Sequence, residues 1–226
     1  MNILKLHKKG IIFALALFMG IPTALANEPN LCAPFKHNSL IDQSLVSSML
    51  QAAERGDLYL VQPTISNFGF EVQSVIGRIE AEFTTFQGGI SLQEPEDPAQ
   101  GRTLVRVETD SLKTNGFLVR QMLKGSEFFD VRNFPEVFFA SKELRRISPT
   151  EGVLEGDLTL RGITRHVVFR VDLSNLDAMT IKSTEVIKIK ATTTIQRSEF
   201  GMDAFPGLAE DDVDLSIQVV AARYAN

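Results

Sequence analysis

From Ser66 onward, apolar residues recur at every second position of this chain with polar residues between them. Ser66, Phe68, Phe70 and Val72 alternate with Asn67, Gly69, Glu71 and Gln73, which is how a strand reads when one face is buried and the other is wet. The same period returns in Gly77, Ile79, Ala81 and Phe83, in Gly88, Ile90 and Leu92, and in Val105 and Val107 around Arg106. It continues through Val137-Phe138-Phe139 to Leu154, Gly156, Leu158 and Leu160, and beyond a turn at Gly162 to Val167, Phe169 and Val171. Ile187, Ile189 and Ala191, then Val213, Leu215, Ile217 and Val219, complete a set of about eight short strands.

Most of these runs follow one another without helix-length segments between them, and Glu94-Pro95-Glu96-Asp97-Pro98 is a polar, strand-breaking loop. Antiparallel pairing is therefore expected. An all-β barrel or sandwich follows, and closure into a barrel would remove the edges that so many Val, Ile and Phe positions would otherwise expose.

Ahead of the strands the period is helical. Ser39-Leu40-Ile41-Asp42 has the form of a capping box, Ile41, Leu45, Val46, Met49, Leu50 and Ala53 recur at helical spacing, and Gly56 is placed to end the helix. Such a helix packs on the outside of the main domain or covers one mouth of a barrel. A second interruption, Asp110 to Asp130, carries Phe117, Leu118, Val119, Met122, Leu123, Phe128 and Phe129 punctuated by Gly116 and Gly125. It predicts a short helix and an aromatic loop inserted between strands, at a place where long apolar loops gate cavities.

Residues 1 to 26 have the marks of an export leader: Lys5, Lys8 and Lys9, an apolar run from Ile11 to Ile21, and Ala24-Leu25-Ala26 as a cleavage site. The run is shorter than the roughly 20 residues a membrane-spanning helix needs. The chain thus divides into a leader over 1–26, an extension with the amphipathic helix over 27–57, and the barrel domain over 58–226, with the exported product expected in the periplasm. The leader holds three of the 23 Lys and Arg and none of the 28 Asp and Glu, leaving 20 against 28 and a formal charge of −8. So acidic a chain is a poor partner for nucleic acid. Cys32 is the single cysteine, so no internal disulfide is available.

Catalytic and metal motifs are absent. His37 and His166 stand apart from each other, Gly125-Ser126-Glu127 lacks the flanks of a nucleophile elbow, and Gly88-Gly89 suits a strand bend. Glu210-Asp211-Asp212 reads as a solvated turn without calcium-loop spacing. No catalytic residue, catalytic cofactor or metal is expected. What the chain does carry is Phe: sixteen against two Tyr and no Trp, with only Phe13 and Phe18 in the leader. Phe supplies large apolar area with no polar group to satisfy, which suits a dry cavity in an eight-stranded barrel.

From about Tyr59 to Arg223 the chain resembles the YceI-like family of lipid- and polyisoprenoid-binding periplasmic proteins. The resemblance rests on Thr114-Asn115, Leu123, Ser126-Glu127-Phe128-Phe129-Asp130, Phe134-Pro135 and Phe139-x-Ser141. It extends through Gly156 to Thr164 and through Arg197-Ser198-Glu199-Phe200-Gly201-Met202, and more loosely to Tyr59-x-Val61-Gln62-Pro63 and Phe83-x-x-Phe86-x-Gly88. It implies an antiparallel, eight-stranded, lipocalin-like barrel around a polyisoprenoid, a quinone-like molecule or a fatty acyl chain. Family members often carry histidine where Ile65 stands, an Arg-Asp-x-His-Leu run in place of Val119-Arg120-Gln121-Met122-Leu123, and glycine in place of Ala81. Those departures remove polar groups near the expected mouth.

The residues expected to touch the ligand are Phe70, Phe83, Val105 and Val107 from the first strands, and Phe117, Met122, Leu123, Phe128 and Phe129 from the insertion. Phe139, Leu158, Leu160, Phe169 and Ile189 follow from the later strands, and Phe200 from the last matched block. A chain of about 40 carbons would gain on the order of 12 kcal/mol on a ligand-efficiency scale. Transient membrane contact and a homodimer are compatible with this reading. Two rivals remain at this stage: a barrel filled by its own side chains that acts through interactions, and an enzyme working through Asp110, Arg120 or His166.

Overall fold

The computed structural model describes residues 41–92, 101–175 and 184–225. The leader, Cys32, His37, Ser39 and the Glu94 to Pro98 loop lie outside them. Helix α1 (Gln43–Arg55) begins at Asp42, whose side chain accepts a hydrogen bond from the Ser44 N–H, so Asp42 itself is the cap. Gly56 ends the helix in the left-handed region, with φ at 77°, a conformation glycine adopts without steric cost.

Among the described residues, eleven strand segments follow: β1 (Leu58–Val61), β2 (Asn67–Ser74), β3 (Gly77–Phe83), β4 (Phe86–Ser91), β5 (Arg102–Glu108), β6 (Leu112–Thr114), β7 (Glu136–Arg146), β8 (Glu151–Leu160), β9 (Ile163–Asp172), β10 (Val186–Gln196) and β11 (Ala209–Arg223). Every pairing between them is antiparallel. They form eight staves, because three staves are broken in two. β1 and β2 share one edge of β11, β3 and β4 run opposite them, and β5 and β6 run opposite those. Pairing of Tyr59 with Arg223 and of Val61 with Ala221 closes the ring. The architecture is the expected eight-stranded antiparallel barrel with a helix before it and a helix inserted mid-chain.

The breaks lie side by side and are stitched together. Thr84 takes its N–H to Ser111 Oγ at 3.2 Å and its hydroxyl to Ser111 O at 3.1 Å, while Glu108 N donates to Thr85 O at 2.9 Å. Fully buried Thr109 reaches across to the insertion, donating its N–H to Pro135 O and its hydroxyl to Phe134 O. Interrupted ladders thus keep their hydrogen-bonding groups satisfied while the wall bends.

Alternation sorts the side chains as the sequence predicts. Inward residues of all eight staves form one apolar cluster. A second, smaller cluster lies outside the wall, where Val46, Met49 and Ala53 of α1 pack on the outward residues Leu58, Leu104 and Phe138. That wall section is buried on both faces, which explains the uninterrupted Val137-Phe138-Phe139 run. Of the two placements open to the first helix, the structure has it on the outside of the barrel. Gly77, counted with the inward residues, instead sits exposed at the tip of the β2–β3 hairpin with φ at 107°.

Candidate functional site: the barrel bore

The inward faces leave a cavity of about 220 Å³. At one end its lining includes Phe128, Phe129 and Met202, beside helix α2 (Phe117–Lys124); at the other it includes Leu92, Leu144, Leu154 and Leu173. The α2 end is closed by two loops. The first is the insertion after β6, whose Phe129 packs against Phe70 and Phe83 at centroid distances of 5.5 and 5.4 Å. The second joins β10 to β11, and the two meet where Phe128 stacks on Phe205 at 6.0 Å with the rings 12° from parallel.

Cations in the wall hold both loops. Arg161, in the β8–β9 turn, donates to Phe128 O at 2.7 Å and lies 5.8 Å from the Phe134 ring centroid. Arg197 follows β10 and donates to four carbonyl groups of the second loop and the start of β11. Next to it, Asp211 takes the Ser198 hydroxyl at 2.6 Å and the Ser198 N–H at 2.9 Å. These hydrogen bonds, the hydroxyl's first, hold the Asp211 carboxyl below its ordinary range, helped by the Arg197 charge and opposed by partial burial. Glu210-Asp211-Asp212 therefore serves as a tie between turn and strand.

Every residue expected to touch a ligand lines the bore except Phe117 and Phe200. Phe117 is 64 % exposed. On a helix of eight residues, Val119 and Leu123, four apart, share the inward face, which turns Phe117 and Leu118 to solvent. Phe200 is wholly buried, but it closes the 3-10 turn Arg197–Phe200, where strand alternation has ended, and it packs in the core without reaching the bore. Alternation missed the cation Arg197, and with it lining residues such as Thr103, Leu144, Leu173, Ile195, Met202 and Ala209, which lie at or near strand ends or beyond them. The signal for Arg197 was an arginine directly behind an apolar strand, in the Arg197 to Met202 stretch that resembles the family.

The residues considered for catalysis stand elsewhere. Asp110 pairs with Lys124 at 2.9 Å, Arg120 lies over the Phe117 ring at 5.7 Å, and His166 sits on the outer face 3.6 Å from Glu155 and 3.9 Å from Asp157. None of them lines the bore.

Comparison with known proteins places this architecture. A family model described as a YceI-like domain matches residues 59–221. A UPF0312 protein of Pseudomonas putida is 27 % identical over 170 residues, covering 75 % of this chain and 84 % of the relative. Another, from Enterobacter sp., is 30 % identical over 139 residues, covering 61 % and 70 %. Among solved structures, Burkholderia cenocepacia BcnA superposes with a TM-score of 0.65 at 18 % identity, covering 72 % of this chain and 99 % of that one. A domain of Saccharophagus degradans, described as polyisoprenoid binding, does so with a TM-score of 0.55 at 12 % identity, covering 73 % and 98 %.

Proposed function

This chain belongs to the YceI-like domain family, and on that premise we propose that it is an exported, periplasmic carrier or store that encloses one apolar chain in its bore and performs no catalysis of its own. The observation that carries this reading is the cavity, lined along the barrel by aliphatic and aromatic side chains. The polyisoprenoid-binding description of the Saccharophagus degradans domain supports an apolar ligand.

Size narrows the ligand. A cavity of about 150 Å³ lined by aliphatic and aromatic residues holds a benzene ring of about six heavy atoms, so on that scale the 220 Å³ of the bore takes about nine. A single fatty acyl chain is nearer that size than a forty-carbon isoprenoid, and either would require lining side chains such as Phe70, Phe83 or Phe129 to turn aside. At about 0.3 kcal/mol per heavy atom, an acid of about eighteen heavy atoms gains on the order of 5 kcal/mol after the costs of binding. The driving force is removal of methylene groups from water, and the shape of the bore selects among chains.

Loading would occur at a membrane, where such chains reside. Exposed apolar residues gather at the α2 end: Phe117 and Leu118 on the helix, Phe205 and Leu208 on the second loop, and Val75 and Ile76 on the hairpin whose Val75 N–H donates to Leu208 O. A transient contact through this rim would bring the bore to the acyl layer. The test is mass spectrometry of the organic extract of protein exported with its own leader and purified without detergent. An acyl or isoprenoid lipid in molar proportion is expected. No lipid, together with no uptake of palmitate or a prenyl quinone by the purified protein, overturns the reading.

A further inference from the structure

Among the described residues the bore has one charged wall group, Arg197, which also borders a second pocket beside Ser198 and Asp211. Among those residues Thr103 is the only other one in the lining with a hydrogen-bonding side chain. Arg197 is 6 % exposed. Its Nε donates to Glu210 O at 3.0 Å, its Nη1 to Ala204 O at 2.9 Å and to Met202 O, and its Nη2 to Ala209 O at 3.3 Å. A guanidinium has five N–H groups, so among the described residues one Nη2 hydrogen has no acceptor. The carbonyls supply dipoles but no negative charge. The neighbouring Asp211 carboxylate feels the Arg197 charge, but its two oxygens go to Ser198 and make no direct ion pair with Arg197. A cation kept so far from water is costly unless a counter-charge reaches it.

We propose that Arg197 is the head-group subsite of the bore and that the ligand is a single-tailed carboxylate, its head beside Arg197 at the α2 end and its tail running toward Leu92, Leu144 and Leu173. This rests on the apolar-chain reading of the cavity and adds the polarity and direction of its occupant. Among the described residues the rest of the lining offers only Thr103 to a polar head, so a carboxylate placed against them would be buried without a cation. Arg197 can donate to a carboxylate with its remaining hydrogen while the other four keep the loop in place, and a charge-assisted hydrogen bond in an apolar setting is a strong one. A bore slim enough for one chain and the position of the cation thus point to the same class of molecule.

The experiment uses the delipidated full-length mature protein and three probes with the same tail: palmitate, 1-hexadecanol and methyl palmitate. Calorimetry at pH 7 should give palmitate an advantage on the order of tenfold or more over both neutral probes. Arg197→Gln should abolish that advantage and Arg197→Lys should keep part of it. Because Arg197 also secures a loop, a measurement on the unaltered protein accompanies the variants: the carboxyl of bound, carboxyl-labelled palmitate, followed by ¹³C NMR, should titrate at lower pH than that of free palmitate. Equal affinity for the three probes, or a bound carboxyl that titrates no lower than the free one, overturns the subsite and leaves the apolar-chain reading standing. Binding of none of the probes overturns both. A palmitate preference that survives in a folded Arg197→Gln protein removes the role from Arg197.

Discussion

The ring of Phe139 fills the space that a side chain at Gly156 would need: a Cβ there would lie 2.7 Å from Phe139 Cζ and 2.6 Å from Ala140 O. Contact this close has no room for a methyl group, since neighbouring backbone cannot yield cheaply. Gly156→Ala is expected to destabilise the barrel by about 1–3 kcal/mol, read as a lower urea midpoint. Because Phe139 lines the bore and meets Phe169 edge-on at 5.3 Å, the same variant should also change palmitate affinity. An unchanged midpoint would show that the β7–β8 wall opens easily.

Phe129 is wedged between Phe70 and Phe83 at the closed end of the bore. Phe129→Ala should cost about 3–5 kcal/mol of stability and lengthen the cavity. A panel of saturated acids should then show its best fit moving to longer chains. A stable variant with the original chain-length preference would place the limiting wall elsewhere.

Ala191 is a small inward residue that packs against the core cluster and lines the bore. Ala191→Phe should fill the bore, with a stability cost of about 1–3 kcal/mol and a clear loss of palmitate uptake by calorimetry. Retained uptake would mean that the ligand does not occupy this part of the barrel.

Helix α1 touches the outer wall and contributes nothing to the bore. Met49 is fully buried beneath it. Met49→Ala should lower stability by about 2–5 kcal/mol while palmitate affinity stays as it was; a fall in affinity would contradict the separation of the two clusters.

The depressed Asp211 carboxyl has a signed consequence for acid stability. The unfolded chain takes up its proton near the ordinary value of 3.8, whereas the folded one resists until lower pH. The stabilisation is therefore complete above 3.8 and is lost as the pH falls through the folded value. Urea midpoints at pH 7 and pH 3 should differ more for the native chain than for Asp211→Asn. Equal differences would mean that the Ser198 tie contributes nothing.

The barrel was legible because eight inward faces each obey a period of two, and the bore because inward alternation names its walls directly. Phe70, Val105, Leu158 and Phe169 were found in this way. Periodicity failed where the backbone leaves the strand. The short segments β1 and β6 are too brief to display a period. Phe200 lies on a 3-10 turn, and Phe117 on a short helix that leaves three of its five apolar residues exposed. Arg197 escaped for a different reason: it is a cation, and its setting among carbonyls and hydrocarbon arises only in the folded chain.

Tyr59 and Arg223, neighbours across the closing seam, are separated by nearly the whole domain in sequence. Every other stave can pair with one synthesised just before it, but the first must wait for the last, and contacts of such long range form late. A chain exported as proposed would therefore have no finished vessel until β11 had crossed. The proposed cargo would then be acquired at the destination, never carried along from the site of synthesis.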